Sequence, residues 1–153
     1  MRAQDRIRPV RLGDLDRVLA IENASFGAEA YDRKLFAYYK RRDPGLFLVA
    51  ERRGKLGGYL IASLRGLSTS PRAELVSVAV DPAQRQAGIA SALLTSVLRR
   101  LRRRGIGRIH LIVRVTNLPA QKFYEKYGFR RIRLVRAYYE DGGHGIAMGR
   151  PIS

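Results

Sequence analysis

The sequence has no cysteine among its 153 residues. This absence excludes a disulfide framework and thiolate chemistry, and it fits a reducing compartment. Long apolar runs are also missing, because none reaches the roughly 18–20 residues of a membrane-spanning helix. The first eleven residues, MRAQDRIRPVR, lack the apolar centre of a signal peptide. We therefore expect a cytoplasmic protein with no membrane segment, forming one domain over residues 1–153.

Acidic side chains are scarce. The chain has 13 of them against 30 lysines and arginines, which gives a formal net charge of +17. Such a field attracts polyanions, so association with a ribosome is one interpretation. Basic charge equally suits a cofactor with several phosphates, and a basic helix end offsets the helix dipole. For the run RRLRRR at 99–104 we prefer that structural explanation, and we do not expect direct nucleic-acid binding, although the charge does not exclude it.

A strand, a glycine-containing loop and a helix are predicted over Glu74–Arg104. A Val- and Leu-rich run ends at Asp81-Pro82, where proline cannot donate to a strand ladder. After Gly88, apolar residues at 89, 93, 94, 97, 98 and 101 have the spacing of one helical face. The first turn of a helix carries unpaired N–H groups, so this joint predicts an anion site, to which Arg85 adds a charge.

The remaining periodicities give the element order β, α, α, β, β, β, α, β, α, β, β. Two apolar strands, 46–51 and 56–64, form a predicted hairpin, and a polar loop is expected over Gly66–Pro71. Asn117 is predicted to cap a helix that Gly128 ends. Alternating helices and strands of this kind indicate a mixed α/β fold built on one sheet.

Two segments resemble the GNAT superfamily of acetyl-CoA-dependent N-acetyltransferases. Arg85-Gln86-Ala87-Gly88-Ile89-Ala90 resembles its motif A, and Asn117 with the segment 122–129, KFYEKYGF, resembles its motif B. The loop AEAY at 28–31 and the ending YYEDG at 138–142 are similar to the protein N-terminal acetyltransferase branch, which includes the ribosomal-protein alanine acetyltransferases. The resemblance implies the GNAT fold, an α/β architecture whose central mixed sheet of six to seven strands is flanked by about four helices.

The resemblance also implies where acetyl-CoA binds. A backbone N–H near Val78 or Ala79 would polarise the thioester oxygen, and the Tyr124 phenol would protonate the leaving thiolate. No metal site is predicted. The expected cofactor-binding residues are Val78, Ala79, Val80, Arg85, Gln86, Ala87, Gly88, Ile89, Ala90, Ser91, Asn117 and Tyr124.

The general base is less settled by the sequence. Related bacterial enzymes carry a glutamate at the position that Ile112 occupies here, so their mechanism does not transfer directly. We rank Glu74 first as a substitute, Glu29 second and His110 third. The same family implies that the acceptor peptide is bound by Glu29, Tyr31, Arg114, Tyr138 and Tyr139.

We therefore predict an acetyltransferase that acts on the N-terminal α-amine of a protein or peptide, with a ribosomal protein among the candidates. An α-amine titrates near pH 8, so roughly a tenth is neutral at pH 7 and a weak base suffices. Acetylation of a lysine or a small amine is the first alternative. A basic module that binds RNA or a ribosome without catalysis is the second.

Overall fold

The computed structural model describes residues 6–27, 30–67, 69–85 and 87–152. In these ranges seven strands and four α-helices follow one another, with short 3-10 turns at 12–14, 44–46 and 82–84. The strands are β1 (Arg6–Pro9), β2 (Phe47–Arg52), β3 (Lys55–Leu67), β4 (Ser70–Val80), β5 (Arg108–Arg114), β6 (Arg130–Val135) and β7 (Gly145–Pro151). The helices are α1 (Leu15–Phe26), α2 (Arg33–Arg42), α3 (Ile89–Arg103) and α4 (Leu118–Lys126).

The strands form a mixed sheet in the order β1-β2-β3-β4-β5-β7-β6. β4 and β5 run parallel, whereas the pairs β1–β2, β2–β3, β5–β7 and β6–β7 are antiparallel. This architecture confirms the predicted mixed α/β fold and its element order.

The predicted polar loop over Gly66–Pro71 is wrong. β3 continues to Leu67 and β4 begins at Ser70, so strand structure occupies most of that stretch. Polar residues are tolerated here because the strand ends are exposed to solvent and carry a cross-strand ion pair, in which Arg65 Nε lies 2.8 Å from Glu74 Oε2.

By their internal contacts the residues divide into two compact units, Met1–Ser63 with Leu75–Arg104, and Leu64–Glu74 with Gly105–Ser153. The chain passes from one unit to the other within β3 and again within β4. A single domain over the whole chain stays a prediction.

In the first unit the core lies between the helices α1 and α2 and the strands β2 and β3. Helix α1 buries a stripe of Leu15, Val18 and Ile21. The Phe36 ring of α2 packs edge-on against Tyr59, with ring centroids 5.6 Å apart. These side chains bury most of their apolar area, which is the main stabilising contribution to such a unit.

In the second unit β5 alternates buried and half-buried residues, with Ile109, Leu111 and Val113 in the core. β6 lies at the sheet edge and is exposed along nearly its whole length. Across the described ranges, no helix combines the length and apolar composition that crossing a membrane would require.

Candidate active site

The turn between β4 and α3 is held in place by Asp81. Its backbone N–H donates to Gly57 O at 2.8 Å, and its side chain accepts from Ala83 N at 3.0 Å. Arg17 forms an ion pair with the Asp81 carboxylate and donates to Leu56 O. The backbone hydrogen bond from Ala83 and the guanidinium of Arg17 hold the pKa of Asp81 below its usual range. The end of β4 is therefore joined to the start of β3 and to α1 by several polar contacts.

Helix α3 begins after Gly88, which adopts the left-handed conformation with φ of +79°. Nothing described lies within 4 Å of the position that a Cβ would occupy there. The first hydrogen bond of the helix runs from Ala92 N to Gly88 O at 3.0 Å. The N–H groups of the first turn then point along the helix axis without intrahelical acceptors, which makes an anion site.

The residues around this turn are placed as follows. Arg85 is exposed and donates to Ser25 Oγ at 3.4 Å, so its guanidinium is at the surface beside the turn. Ala87, Ala90 and Ser91 are half-buried, whereas Ile89 is buried and anchors the first turn to the core. Gln86, predicted as cofactor-binding, lies outside the described residues.

The end of β4 approaches β3 closely. A Cβ on Gly58 would come within 3.1 Å of Ala79 O and 2.8 Å of the Ile89 side chain. Val78 and Val80 are half-buried. The described ladder between β4 and β5 consists of Ala73–Ile109 and Glu74–His110. The backbone of β4 beyond Glu74 therefore lies outside that ladder.

A buried carboxylate that the sequence reasoning missed lies beneath the predicted substrate loop. Glu22 is 1% exposed. One of its oxygens accepts from the backbone N–H of Tyr31 at 2.8 Å, and the other accepts from the Tyr59 hydroxyl. Tyr59 Oη lies 3.1 Å from Ser77 Oγ, next to the predicted cofactor strand. The signal in the sequence was helical spacing, since Glu22 is four residues after Val18 on the apolar stripe.

Of the predicted substrate residues in this unit, Tyr31 has an exposed fraction of 39%, and its ring meets Phe36 edge-on at 6.2 Å. The hydrogen bond to Glu22 fixes its backbone. Glu29, predicted as a base and as a substrate contact, lies outside the described residues. The structure thus ties the described end of the predicted loop to the core.

Two of the candidate bases lie side by side in the second unit. Glu74 and His110 are register partners on β4 and β5. Burial lowers the pKa of the His110 imidazole, and the charges of Arg72 and Arg65 act in the same direction, while Glu74 opposes them. The imidazole is therefore neutral at pH 7 and able to accept a proton. The Glu74 carboxylate also forms an ion pair with Arg65.

Tyr124, the predicted acid, is 9% exposed on α4. Its ring packs edge-on against Phe123 and Phe129, with centroids 5.4 Å and 5.5 Å away. Burial raises the pKa of its phenol, so the proton is retained at neutral pH. Within the described part of the chain, its hydroxyl makes no hydrogen bond. The Tyr124 hydroxyl is therefore a protonated donor without a hydrogen-bond acceptor among the described residues.

Asn117 caps α4, as predicted, because its Oδ1 accepts from Ala120 N at 3.2 Å. Another polar residue of this helix was not anticipated. The buried Gln121 amide donates to Arg114 O and Val115 O, each at 3.0 Å, and so fixes the joint between β5 and α4. The role of Asn117 in cofactor binding stays a prediction.

Arg114 contacts the turn that carries Tyr138 and Tyr139, the two tyrosines predicted to bind the peptide. Its guanidinium lies 4.0 Å from the Tyr139 ring centroid and pairs with Asp141 at 3.1 Å. Tyr138 packs edge-on against Tyr139 at 5.0 Å. Stacking and the ion pair therefore make Arg114 a support for the aromatic pair. Its role in binding the acceptor peptide stays a prediction.

The mixed α/β sheet and the left-handed Gly88, which opens a helix whose first turn suits an anion, are compatible with a protein that binds a phosphate-bearing cofactor. Residues 15–129 match the family model described as "Acetyltransferase (GNAT) family". The chain belongs to this family, which confirms the prediction of an acetyltransferase that uses acetyl-CoA.

Individual relatives match over nearly their full length. An N-alpha-acetyltransferase of Sulfurisphaera tokodaii is 31% identical, with 96% of this chain and 93% of the relative covered. The crystal structure of Ard1 from Thermoplasma volcanium has a TM-score of 0.90 at 30% identity and covers 97% of this chain and 98% of the other. The ribosomal-protein-S18-alanine N-acetyltransferase from Escherichia coli has a TM-score of 0.81 at 28% identity, with coverages of 98% and 95%.

Proposed function

We propose that this acetyltransferase transfers the acetyl group of acetyl-CoA to the N-terminal α-amine of a protein or peptide. The observation that carries the proposal is the likeness over almost the entire chain to relatives named for acetylation of such amines. An N-terminal alanine of a ribosomal protein is one acceptor of this class, because the Escherichia coli relative is named for it. A cytoplasmic location stays a prediction from the cysteine-free sequence.

In the proposed reaction the first turn of α3 holds the pyrophosphate of the cofactor. The open space at Gly88 and its left-handed backbone support this role, because a side chain there would stand where the phosphate must approach. Arg85 adds an exposed cation beside the turn. The stretch of β4 after Glu74 lies outside the described ladder with β5, which supports strand-like pairing with the pantetheine arm. A backbone N–H at Val78 or Ala79 would stabilise the oxyanion.

The chemical step forms the C–N bond between the amine and the acetyl carbon and breaks the C–S bond of the thioester. The ammonium loses one proton to a base before it attacks, and the nitrogen loses a second proton as the amide forms. The leaving thiolate takes a proton from Tyr124, and the second nitrogen proton restores the phenol. The buried phenol keeps its proton and has no hydrogen-bond partner among the described residues, which supports that assignment. We retain Glu74 as the first candidate base, with its neighbour His110 as the alternative.

The acceptor is tested with three peptides of matched sequence, of which the first two contain one lysine each. The first has a free α-amine, the second has the same sequence with a formylated N-terminus, and the third has a free α-amine with the lysine replaced by arginine. Acetyl-CoA and enzyme are added, and mass spectrometry locates the acetyl group. We expect acetylation of the first and third peptides at the α-amine and none of the second. Acetylation of the lysine in the second peptide would instead identify a lysine acetyltransferase.

A further inference from the structure

A groove runs along the solvent face of α3 in the first unit and is closed on one side by β1. Its volume is about 640 Å³. Small residues line the part near the start of the helix, and arginines line the part near its end. The lining comprises Arg6, Ile7, Gly88, Ser91, Ala92, Thr95, Ser96, Arg99, Arg100 and Arg103. These ten residues include four cations, three hydroxyl side chains and not one carboxylate.

Among the described residues, no carboxylate neutralises the arginines that α3 contributes to this groove. Arg104, just after them, forms a two-pronged ion pair with Asp43. In the described residues no carboxylate lies within ion-pair distance of Arg99, Arg100 or Arg103, although Arg100 donates to Gly45 O at 3.5 Å. An interaction with the helix dipole alone explains a cation in the last turn but not the convergence of several on one groove.

The arginine end of the groove is far from the turn that we assign to the cofactor. At a rise of 1.5 Å per residue, Arg99 lies about 16 Å and Arg103 about 22 Å along the axis from Gly88. A pyrophosphate bound at Gly88 therefore leaves these side chains without an anion. The planar guanidinium group of an arginine can donate hydrogen bonds to two phosphate oxygens at once, which an ammonium group cannot do.

We propose that the arginine end of this groove binds the phosphate backbone of single-stranded RNA. The three arginines of α3 supply phosphate donors, whereas Arg6 is already paired with Glu51 at 2.9 Å. The hydroxyls of Thr95 and Ser96 are suited to phosphate oxygens or 2′-hydroxyl groups. The described lining holds no aromatic side chain, so the contacts are with the sugar–phosphate backbone, which carries no sequence information, and recognition is independent of sequence. The net charge of +17 adds long-range attraction. This inference rests on observations separate from those that support the reaction.

The test is fluorescence anisotropy with a labelled 12-nucleotide oligouridylate over a range of salt concentrations. Saturating coenzyme A is present throughout, so that the cofactor site is filled. Three proteins are compared: the unchanged chain, Arg99→Gln/Arg103→Gln, and Arg130→Gln/Arg133→Gln. The two double variants lose the same charge, and the second pair lies on the exposed strand β6. Thermal unfolding checks that each variant is folded.

We expect the slope of log K against log salt to become shallower by about 1.4 in the groove variant, the value for two lost phosphate contacts to a single strand. The β6 variant should keep the original slope. Ser96→Glu adds a carboxylate to the groove without removing an arginine, and it should weaken RNA binding several-fold. This variant replaces Arg99→Gln/Arg103→Gln as the test if that double variant does not fold.

Three results would overturn the proposal. Equal slopes for the two double variants would mean that the groove has no special part in binding. Oligonucleotide binding that is seen only in a parallel titration without coenzyme A would assign the groove to the cofactor. Equally tight binding of a labelled 12-residue oligoglutamate, lost in Arg99→Gln/Arg103→Gln, would make an acidic peptide the ligand instead of RNA.

Discussion

The Tyr59 hydroxyl donates a hydrogen bond to the Glu22 carboxylate inside the core of the first unit, where both side chains are almost fully buried. The second carboxylate oxygen accepts from the backbone of Tyr31. Desolvation and the neighbouring carboxylate raise the pKa of the Tyr59 phenol, so it remains a donor at neutral pH. A position on the surface loop is thereby fixed by a hydrogen-bond network that begins in the protein interior.

Glu22→Gln should loosen this loop. The amide supplies one acceptor where the carboxylate supplied two, so a buried donor loses its partner, at a cost of about 1–3 kcal/mol of unfolding free energy. We expect a higher KM for the peptide and an unchanged KM for acetyl-CoA. Chemical denaturation and steady-state kinetics measure both effects. Ser63→Ala is the control, because the Ser63 hydroxyl is buried without a described hydrogen-bond partner. An equal change in the peptide KM of that variant would contradict the role of Glu22 in holding the loop.

Alkaline pH should destabilise the protein through its buried phenols. Burial raises the pKa of both Tyr59 and Tyr124 above the ordinary value of about 10. Their neutral forms are stable in the folded state, so above pH 10 only the unfolded chain releases these protons and stability falls. Each phenol contributes a loss of up to about 1.4 kcal/mol per pH unit. Denaturation between pH 9 and 11 should show a shallower decline in Tyr59→Phe, and an identical decline would refute this assignment.

The phosphate-binding role of Gly88 can be separated from its backbone strain. Gly88 and Gly105 both have positive φ, of 79° and 75°, and no described atom within 4 Å of a Cβ position. Alanine at either site should cost about 1–2 kcal/mol for the left-handed conformation. We expect Gly88→Ala alone to raise the Kd for coenzyme A, by tenfold or more, in calorimetric titrations. Equal affinity in the two variants would exclude an anion site at Gly88.

Tyr124→Phe should lower kcat by about 10²-fold or more, the usual contribution of a general acid, with little change in KM. Its stability should change little, because none of the described residues forms a hydrogen bond with the hydroxyl. Tyr127→Phe, on the next turn, is the matched control and should retain kcat. Stopped-time assays of thiol release measure both variants, and similar rates for the two would remove Tyr124 from the reaction.

The base is tested by comparing Glu74→Gln with His110→Gln across pH. If Glu74 accepts the proton, its variant should lose about 10²-fold in kcat/KM while the histidine variant stays active. If His110 is the base instead, Glu74→Gln remains active. The acidic limb of the kcat/KM profile of Glu74→Gln then moves to lower pH, because the Glu74 charge that raises the pKa of the His110 imidazole is gone. The pH profiles of kcat/KM distinguish the two.

Local signals were sufficient for much of the fold. Asn117 caps α4 as its position before Pro119 predicted, and a glycine follows both α3 and α4. The strand, turn and helix around Gly88 were predictable because proline, glycine and apolar spacing each indicate the same structure. The extension of strand into Gly66–Pro71 was not, since an exposed hairpin end carries the same polar residues as a loop.

Side-chain partners distant in sequence could not be read in advance. Glu22 is 37 residues from Tyr59, and nothing local distinguishes it from a surface glutamate except the stripe on which it falls. Likewise, Arg114 meets Asp141 and Tyr139 through the turn before β7, so its contacts depend on how that turn closes. Helix periodicity indicates which face is buried but not which group lies opposite.

The open edge at β6 has a consequence for how the protein behaves at high concentration. Among the described strands β6 pairs only with β7, so its other side, with Ile132 and Leu134 exposed, is a template onto which a strand of another molecule could add. Arg130, Arg131 and Arg133 are exposed on the same strand, so two such edges brought together would face each other with like charges. We expect this repulsion to keep the molecules from associating through β6 in dilute salt. Concentrated salt should screen the repulsion and allow the two edges to associate.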